Sequence, residues 1–188
     1  AILPLRENEH VAFIGGFVKH PRYQGGGSSH VNSFKVTSAW EALAGKEHIT
    51  HAEGFSAETD VYDEKLAAEA IQIAKQADKA IIFAGLPESF ESEGYDRKHM
   101  HLPECQNKLI AEITKVQPNT IVVLHNGAAV EMPWVNEVKG LVEAYLGGQA
   151  VGQATVNILY GMVNPSGKLA ETFPIKLEDN PSYLNFGD

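Results

Sequence analysis

Three glutamates stand close together in Glu88-Ser89-Phe90-Glu91-Ser92-Glu93, and Gly94-Tyr95-Asp96-Arg97 follows directly. A carboxyl group held in a partly dry cleft has a raised pKa and can protonate a departing oxygen. A solvated acidic loop is the plainer alternative, and the spacing alone does not separate the two. A hard-cation site would show regularly spaced Asp or Asn ligands, and none recur here. A second segment, Pro21-Arg22-Tyr23-Gln24-Gly25-Gly26-Gly27-Ser28-Ser29-His30, carries three consecutive glycines. Glycine permits unusual backbone angles and lets a ligand approach the main chain. No dinucleotide fingerprint is present, because Gly15-Gly16 is not followed by the G-x-G-x-x-G spacing. The G-x-S-x-G elbow of serine hydrolases is absent too. A third segment, His125-Asn126-Gly127-Ala128-Ala129-Val130-Glu131-Met132-Pro133-Trp134, opens on a turn signal. Trp134 reads as a packing anchor. The pairs His99/His101 and His48/His51 lack a third ligand at zinc spacing. The glycines at 161 and 167 have the wrong gap for a phosphate loop, and Leu169 stands where Ser or Thr is needed.

These segments need a scaffold. Val11-Ala12-Phe13-Ile14-Gly15, Ala80-Ile81-Ile82-Phe83-Ala84-Gly85 and Thr120-Ile121-Val122-Val123-Leu124-His125 are near-continuous apolar runs closed by turn residues. Strands buried on both faces read this way. Residues 48–52 and 140–145 are weaker strand candidates. Helical spacing predicts helices over 63–77, with Leu66, Ala70, Ile73, Ala74 and Ala77 on one face, and over 103–116 and 148–160. Strand and helix in alternation predict an α/β protein: a three-layer α/β/α sandwich with a mostly parallel, flavodoxin-like sheet of five or six strands. Ligands of such sheets sit at the carboxyl ends of the strands. The long loops 16–32, 86–102 and 126–133 all leave from there.

The chain has 188 residues with 24 acids against 15 Lys and Arg, a formal charge of −9. This length suits one domain. The acidic balance gives no general attraction to nucleic acid or to an anionic membrane surface. A single cysteine, Cys105, forms no internal disulfide framework. No apolar run is long enough to span a bilayer. No signal peptide is read at Ala1, so the expected location is cytoplasmic.

In order and wording the chain resembles the C-terminal α/β sandwich domain of family-3 glycoside hydrolases, especially bacterial β-glucosidases. The matching stretches are Ile2-Leu3-Pro4-Leu5, Ile14-Gly15, Pro21 through Ser29, Glu91-Ser92-Glu93-Gly94-Tyr95-Asp96-Arg97 and Leu102-Pro103 with Gln106. They continue through Val122-Val123-Leu124, Asn126-Gly127, Met132-Pro133-Trp134 and Gly147-Gly148-Gln149. The last are Asn164-Pro165-Ser166-Gly167-Lys168-Leu169-Ala170-Glu171-Thr172-Phe173-Pro174 and Pro181-Ser182-Tyr183-Leu184-Asn185-Phe186.

The resemblance implies a retaining, exo-acting β-glucosidase that hydrolyses terminal β-D-glucosyl residues of β-glucosides or β-linked oligosaccharides. It needs no cofactor and no metal. An N-terminal barrel would carry the aspartate nucleophile, and this domain would supply the acid/base on a loop. The glutamate preceding Gly-Tyr-Asp-Arg is Glu93, which takes that role. The glycine-rich loop lends a serine to the sugar site, and the match falls on Ser28. Ser29, Tyr95 and Arg97 are the further candidates for substrate binding. No barrel of about 250 residues fits within this chain. Residues 1–188 are therefore expected to be a single C-terminal domain of a larger glycosidase, inactive alone. The loop 86–97 is expected to be mobile without its partner, with Phe90 and Tyr95 partly exposed. The competing reading is a non-catalytic carbohydrate-binding or interaction module.

Overall fold

The computed structural model describes residues 1–185. Phe186, the last residue of the resemblance, lies outside the described residues. Five strands form the sheet: β1 (Val11–Ile14), β2 (Ile49–Ala52), β3 (Lys79–Gly85), β4 (Thr120–His125) and β5 (Gly140–Glu143). Their spatial order is β2-β1-β3-β4-β5, and every neighbouring pair is parallel. This is the flavodoxin-like order. Strands β1, β3 and β4 are buried along their whole length. That is why their sequences are apolar without alternation. β2 and β5 are the edges and are only partly covered, which explains their weaker sequence signal.

Helices α1 (Ala39–Ala42), α2 (Glu64–Gln76), α3 (Glu104–Val116) and α4 (Val151–Leu159) cover both faces. On one face Ile14, Ile82, Val122 and Leu124 pack with Ala70 and Ala74 of α2 and Leu109, Ile110 and Ile113 of α3. On the other, Val11, Phe13, Ile81, Phe83, Ile121 and Val123 pack with Ala39 of α1 and Val156 and Leu159 of α4. The alternation follows from side chains pointing to opposite faces of a strand. Asp63 caps α2, its Oδ1 accepting the Lys65 and Leu66 N–H groups at 2.9 and 3.0 Å. The expected face of α2 is shifted: Ala67 is fully buried, while Leu66 is half-buried. Alanines let this helix sit close to the sheet. Helix α1 has no counterpart in the sequence reading. Ser38 and Glu41 make a reciprocal capping box at its start.

The chain runs from β1 to β2 on one side, then returns past β1 to β3 on the other. The order therefore reverses between β1 and β3, and a crevice opens there at the carboxyl ends. The departure point of the β3 loop is fixed by one buried side chain. The Gln106 Oε1 accepts the Gly85 N–H at 2.9 Å, and its Nε2 donates to the Gly85 carbonyl at 3.0 Å. Gly85 has φ +155°, and a Cβ there would lie 2.0 Å from the His125 carbonyl oxygen. One residue before Gln106, the Cys105 thiol is buried. Burial, with Asp60 beside it, pushes its pKa up to about 12.

Gln106→Met keeps the volume and removes both hydrogen bonds, leaving the Gly85 N–H and C=O unpaired in the interior. We expect a loss of about 2–4 kcal/mol, read as a fall in the urea midpoint at unchanged m-value.

Candidate active site

The loops after β1 and β3 flank the crevice, and they bring Ser28 and Glu93 together. Residues Gly27–Ser29 form a single 3-10 turn. The Ser28 N–H donates to Glu93 Oε2 at 2.6 Å across 65 residues of sequence. Gly27 makes this approach possible. It has φ +87°, and a Cβ on it would lie 2.7 Å from the Glu93 Cβ. A side chain at position 27 would be strained and would push the glutamate loop away.

The other expected residues take different places. Ser29 is exposed, its hydroxyl donating to the Gly26 carbonyl at 3.5 Å. Tyr95 is 47% exposed and its hydroxyl donates to the Glu88 carbonyl at 2.8 Å. Arg97 leans against the third loop, its Nη2 donating to the Ala129 carbonyl at 2.8 Å. Phe90 is half-buried.

Residues outside the sequence-derived set do the joining. Arg22 is 8% exposed. Its Nε donates to the Gln24 carbonyl at 2.9 Å, Nη1 to the Leu86 carbonyl at 2.5 Å and Nη2 to the Glu91 carbonyl at 3.1 Å. The Glu91 carboxylate lies 3.7 Å from Nη2 and accepts the Gly127 N–H at 2.9 Å. One guanidinium and one carboxylate thus connect the loops after β1, β3 and β4. The loop expected to be mobile has anchors at Leu86, Glu91, Glu93 and Arg97. The only sequence hint was an arginine preceding a glycine run.

Three titratable groups have distinct environments. The nearby Ser28 hydroxyl and the Ser28 N–H hold the exposed Glu93 carboxyl below its ordinary pKa. As described, Glu93 is a carboxylate. At the end of β4 His125 is buried, its ring stacked 5.7 Å from Phe83 and tilted 6.2 Å from Phe17. Burial lowers its pKa to about 4, so it is a neutral ring at neutral pH. At the end of β5, burial raises the Glu143 carboxyl to about 7. Glu143 accepts the Tyr145 N–H at 2.8 Å and the Asn126 Nδ2 at 3.3 Å. Among the described residues no group of three or more His, Cys, Asp or Glu is placed to hold a metal ion. No helix among them is long and apolar enough to cross a membrane.

Their pH effects on stability oppose one another. An unfolded His125 protonates near 6.5 and the folded one near 4, so its contribution is full above 6.5 and lost on acidification toward 4. The folded Glu143 resists ionisation, so its cost appears as pH rises from 4.5 and is complete above about 7. Glu143→Gln removes the second effect and leaves the first. We expect it to stabilise the chain by about 1–2 kcal/mol at pH 8, allowing for partial exposure, and by nothing at pH 4. Urea unfolding across this range checks it, and an equal gain at both ends would refute the assignment.

Comparison with known proteins agrees with this architecture. Residues 1–188 match the glycosyl hydrolase family 3 C-terminal domain. The chain is 53% identical over 189 residues to thermostable β-glucosidase B of Acetivibrio thermocellus, covering 98% of this chain and 25% of that protein. It is 40% identical over 197 residues to an exo-α-(1→6)-L-arabinopyranosidase of Bifidobacterium longum, covering 99% of this chain and 26% of that one. Among solved structures, a family-3 β-glucosidase of Bifidobacterium adolescentis superposes with a TM-score of 0.93 at 42% identity, covering 99% of this chain and 28% of that one. The chain spans about a quarter of the length of the curated relatives it matches. The five-stranded parallel sheet, the loops at its carboxyl edge and these matches place the chain in the glycosyl hydrolase family 3 C-terminal domain family.

Proposed function

We propose that this chain is the acid/base-supplying domain of a retaining, exo-acting β-glucosidase, with Glu93 as the acid/base. The observation that supports it is the meeting of Ser28 and Glu93 over the switch point of the sheet. The catalytic pair of a retaining glycosidase stands about 5–5.5 Å apart across the scissile bond. The partner aspartate would come from an N-terminal barrel outside this chain, so the pocket would form at a domain interface. The substrate is a terminal β-linked glucosyl unit, and Ser28 contributes to its binding.

The ionised state of Glu93 fits the second half-reaction, in which a base activates water. The first half-reaction needs the proton. Docking of the barrel and entry of a sugar would remove water from Glu93, and a sugar hydroxyl would compete for Ser28. Both changes raise the carboxyl pKa toward the working pH. In the described structure Glu93 is exposed.

Two outcomes are expected. The purified 188-residue chain leaves an aryl β-glucoside unhydrolysed, because one carboxylate without its partner forms no glycosyl intermediate. In the full-length chain, Glu93→Gln slows poor leaving groups by about 100-fold or more. Activated aryl glucosides still glycosylate the enzyme, and azide restores their turnover as the glycosyl azide. Glu88→Gln serves as the exposed control. Near-normal rates for Glu93→Gln would leave the binding-module reading in its place.

A further inference from the structure

The loops carrying Ser28 and Glu93 are long, and their regular hydrogen bonding is local: a single 3-10 turn at Gly27–Ser29 in one, isolated bridges at Ser92–Tyr95 and His101–Glu131 in the other. Among the described residues, the hydrogen bonds between them come from two donors. One is the Ser28 N–H to Glu93, an exposed contact. The other is the buried guanidinium of Arg22, which binds Gln24 in its own loop and both Leu86 and Glu91 in the opposite one. An exposed contact is readily exchanged with water, whereas a buried one is not. Glu91 is two residues from Glu93, and its carboxylate ties that point to Gly127.

We propose that Arg22, braced by Glu91, is the positioning residue that fixes Glu93 relative to the sugar-binding Ser28. The proposal rests on the acid/base reading of Glu93. A planar guanidinium presents its donors in a rigid fork, so three carbonyls are held in one fixed arrangement. Lysine keeps the charge and loses the fork. Proton transfer tolerates little displacement: a shift of about 1 Å costs about 100-fold in rate. A loss of positioning differs from a loss of folding in what it spares. Leaving groups that need no proton are insensitive to where Glu93 stands, while poor leaving groups are not.

The test has two arms. In the first, the Ser28 amide of the 188-residue chain is followed by NMR through an acid titration. In the parent chain it is expected to shift with the ionisation of Glu93. In Arg22→Lys that step is lost at Ser28 while the β3 and α3 amides keep their positions. Glu91→Gln, which retains an acceptor for the Gly127 N–H, reduces the step. A Ser28 step unchanged in both variants would overturn the proposal whatever the activity. In the second arm, kcat/KM of the full-length chain is measured across glucosides of graded leaving group. Arg22→Lys is expected to lose about 10–100-fold on alkyl glucosides and less than about 3-fold on dinitrophenyl glucoside. Equal losses across the series, with Glu93→Gln showing the graded pattern, refute positioning and leave the acid/base reading intact. Absence of the graded pattern in Glu93→Gln itself refutes that reading, and the proposal built on it falls too.

Discussion

The carboxyl edge of this sheet depends on a charge taken out of water. Arg22 is nearly enclosed, and its guanidinium survives there because three carbonyls and the Glu91 carboxylate replace its hydration. Burying an ion is costly unless it is paired and hydrogen-bonded, so every partner has a fixed place. The same requirement acts on the partners. The carbonyls of Gln24, Leu86 and Glu91 belong to irregular segments with no ladder to join, and buried backbone groups need partners. One side chain answers for all of them. The arrangement is stiff at its buried root, while Glu93 at its rim stays exposed to solvent.

Much of the scaffold was legible from the sequence. Val11, Ile82 and Val122 sit in runs that could only be central strands, and the amphipathic periods of α2 and α3 marked their lengths to within a residue or two. Helix α1 was missed because four residues carry no period, although Ser38 and Glu41 hold the capping spacing. At the site, sequence wording located Ser28 and Glu93, and the fold joins them. Spacing alone did not separate the three loop glutamates; the resemblance singled out Glu93 and left Glu88 and Glu91 without a place. Glu88 is exposed, Glu91 is turned in against Arg22 and Gly127, and Glu93 reaches Ser28. Arg22 stood in the sequence only as one residue of the stretch from Pro21 to Ser29. Its contacts are backbone carbonyls 64 and 69 residues away, and residue types give no signal for a partner of that kind.

Electrostatically the site divides its acids by depth. Glu143, part-buried at the end of β5, titrates near 7 because burial disfavours its charge. Glu93, on the outside, is held below the ordinary carboxylate range by Ser28. Within a single small domain, the burial that raises a carboxyl pKa also withdraws the group from the surface.

Cys105 bears on how the rim of the carboxyl edge could be observed. Its thiol lies under α3, shielded from solvent and scarcely ionised near neutrality, so alkylating reagents find almost no thiolate there. The folded protein is therefore expected to react with maleimides as if it had no thiol. A cysteine introduced on the outer rim, at Tyr95 for instance, becomes a unique attachment point for a fluorophore or spin label. The native cysteine need not be removed for the rim to be watched directly.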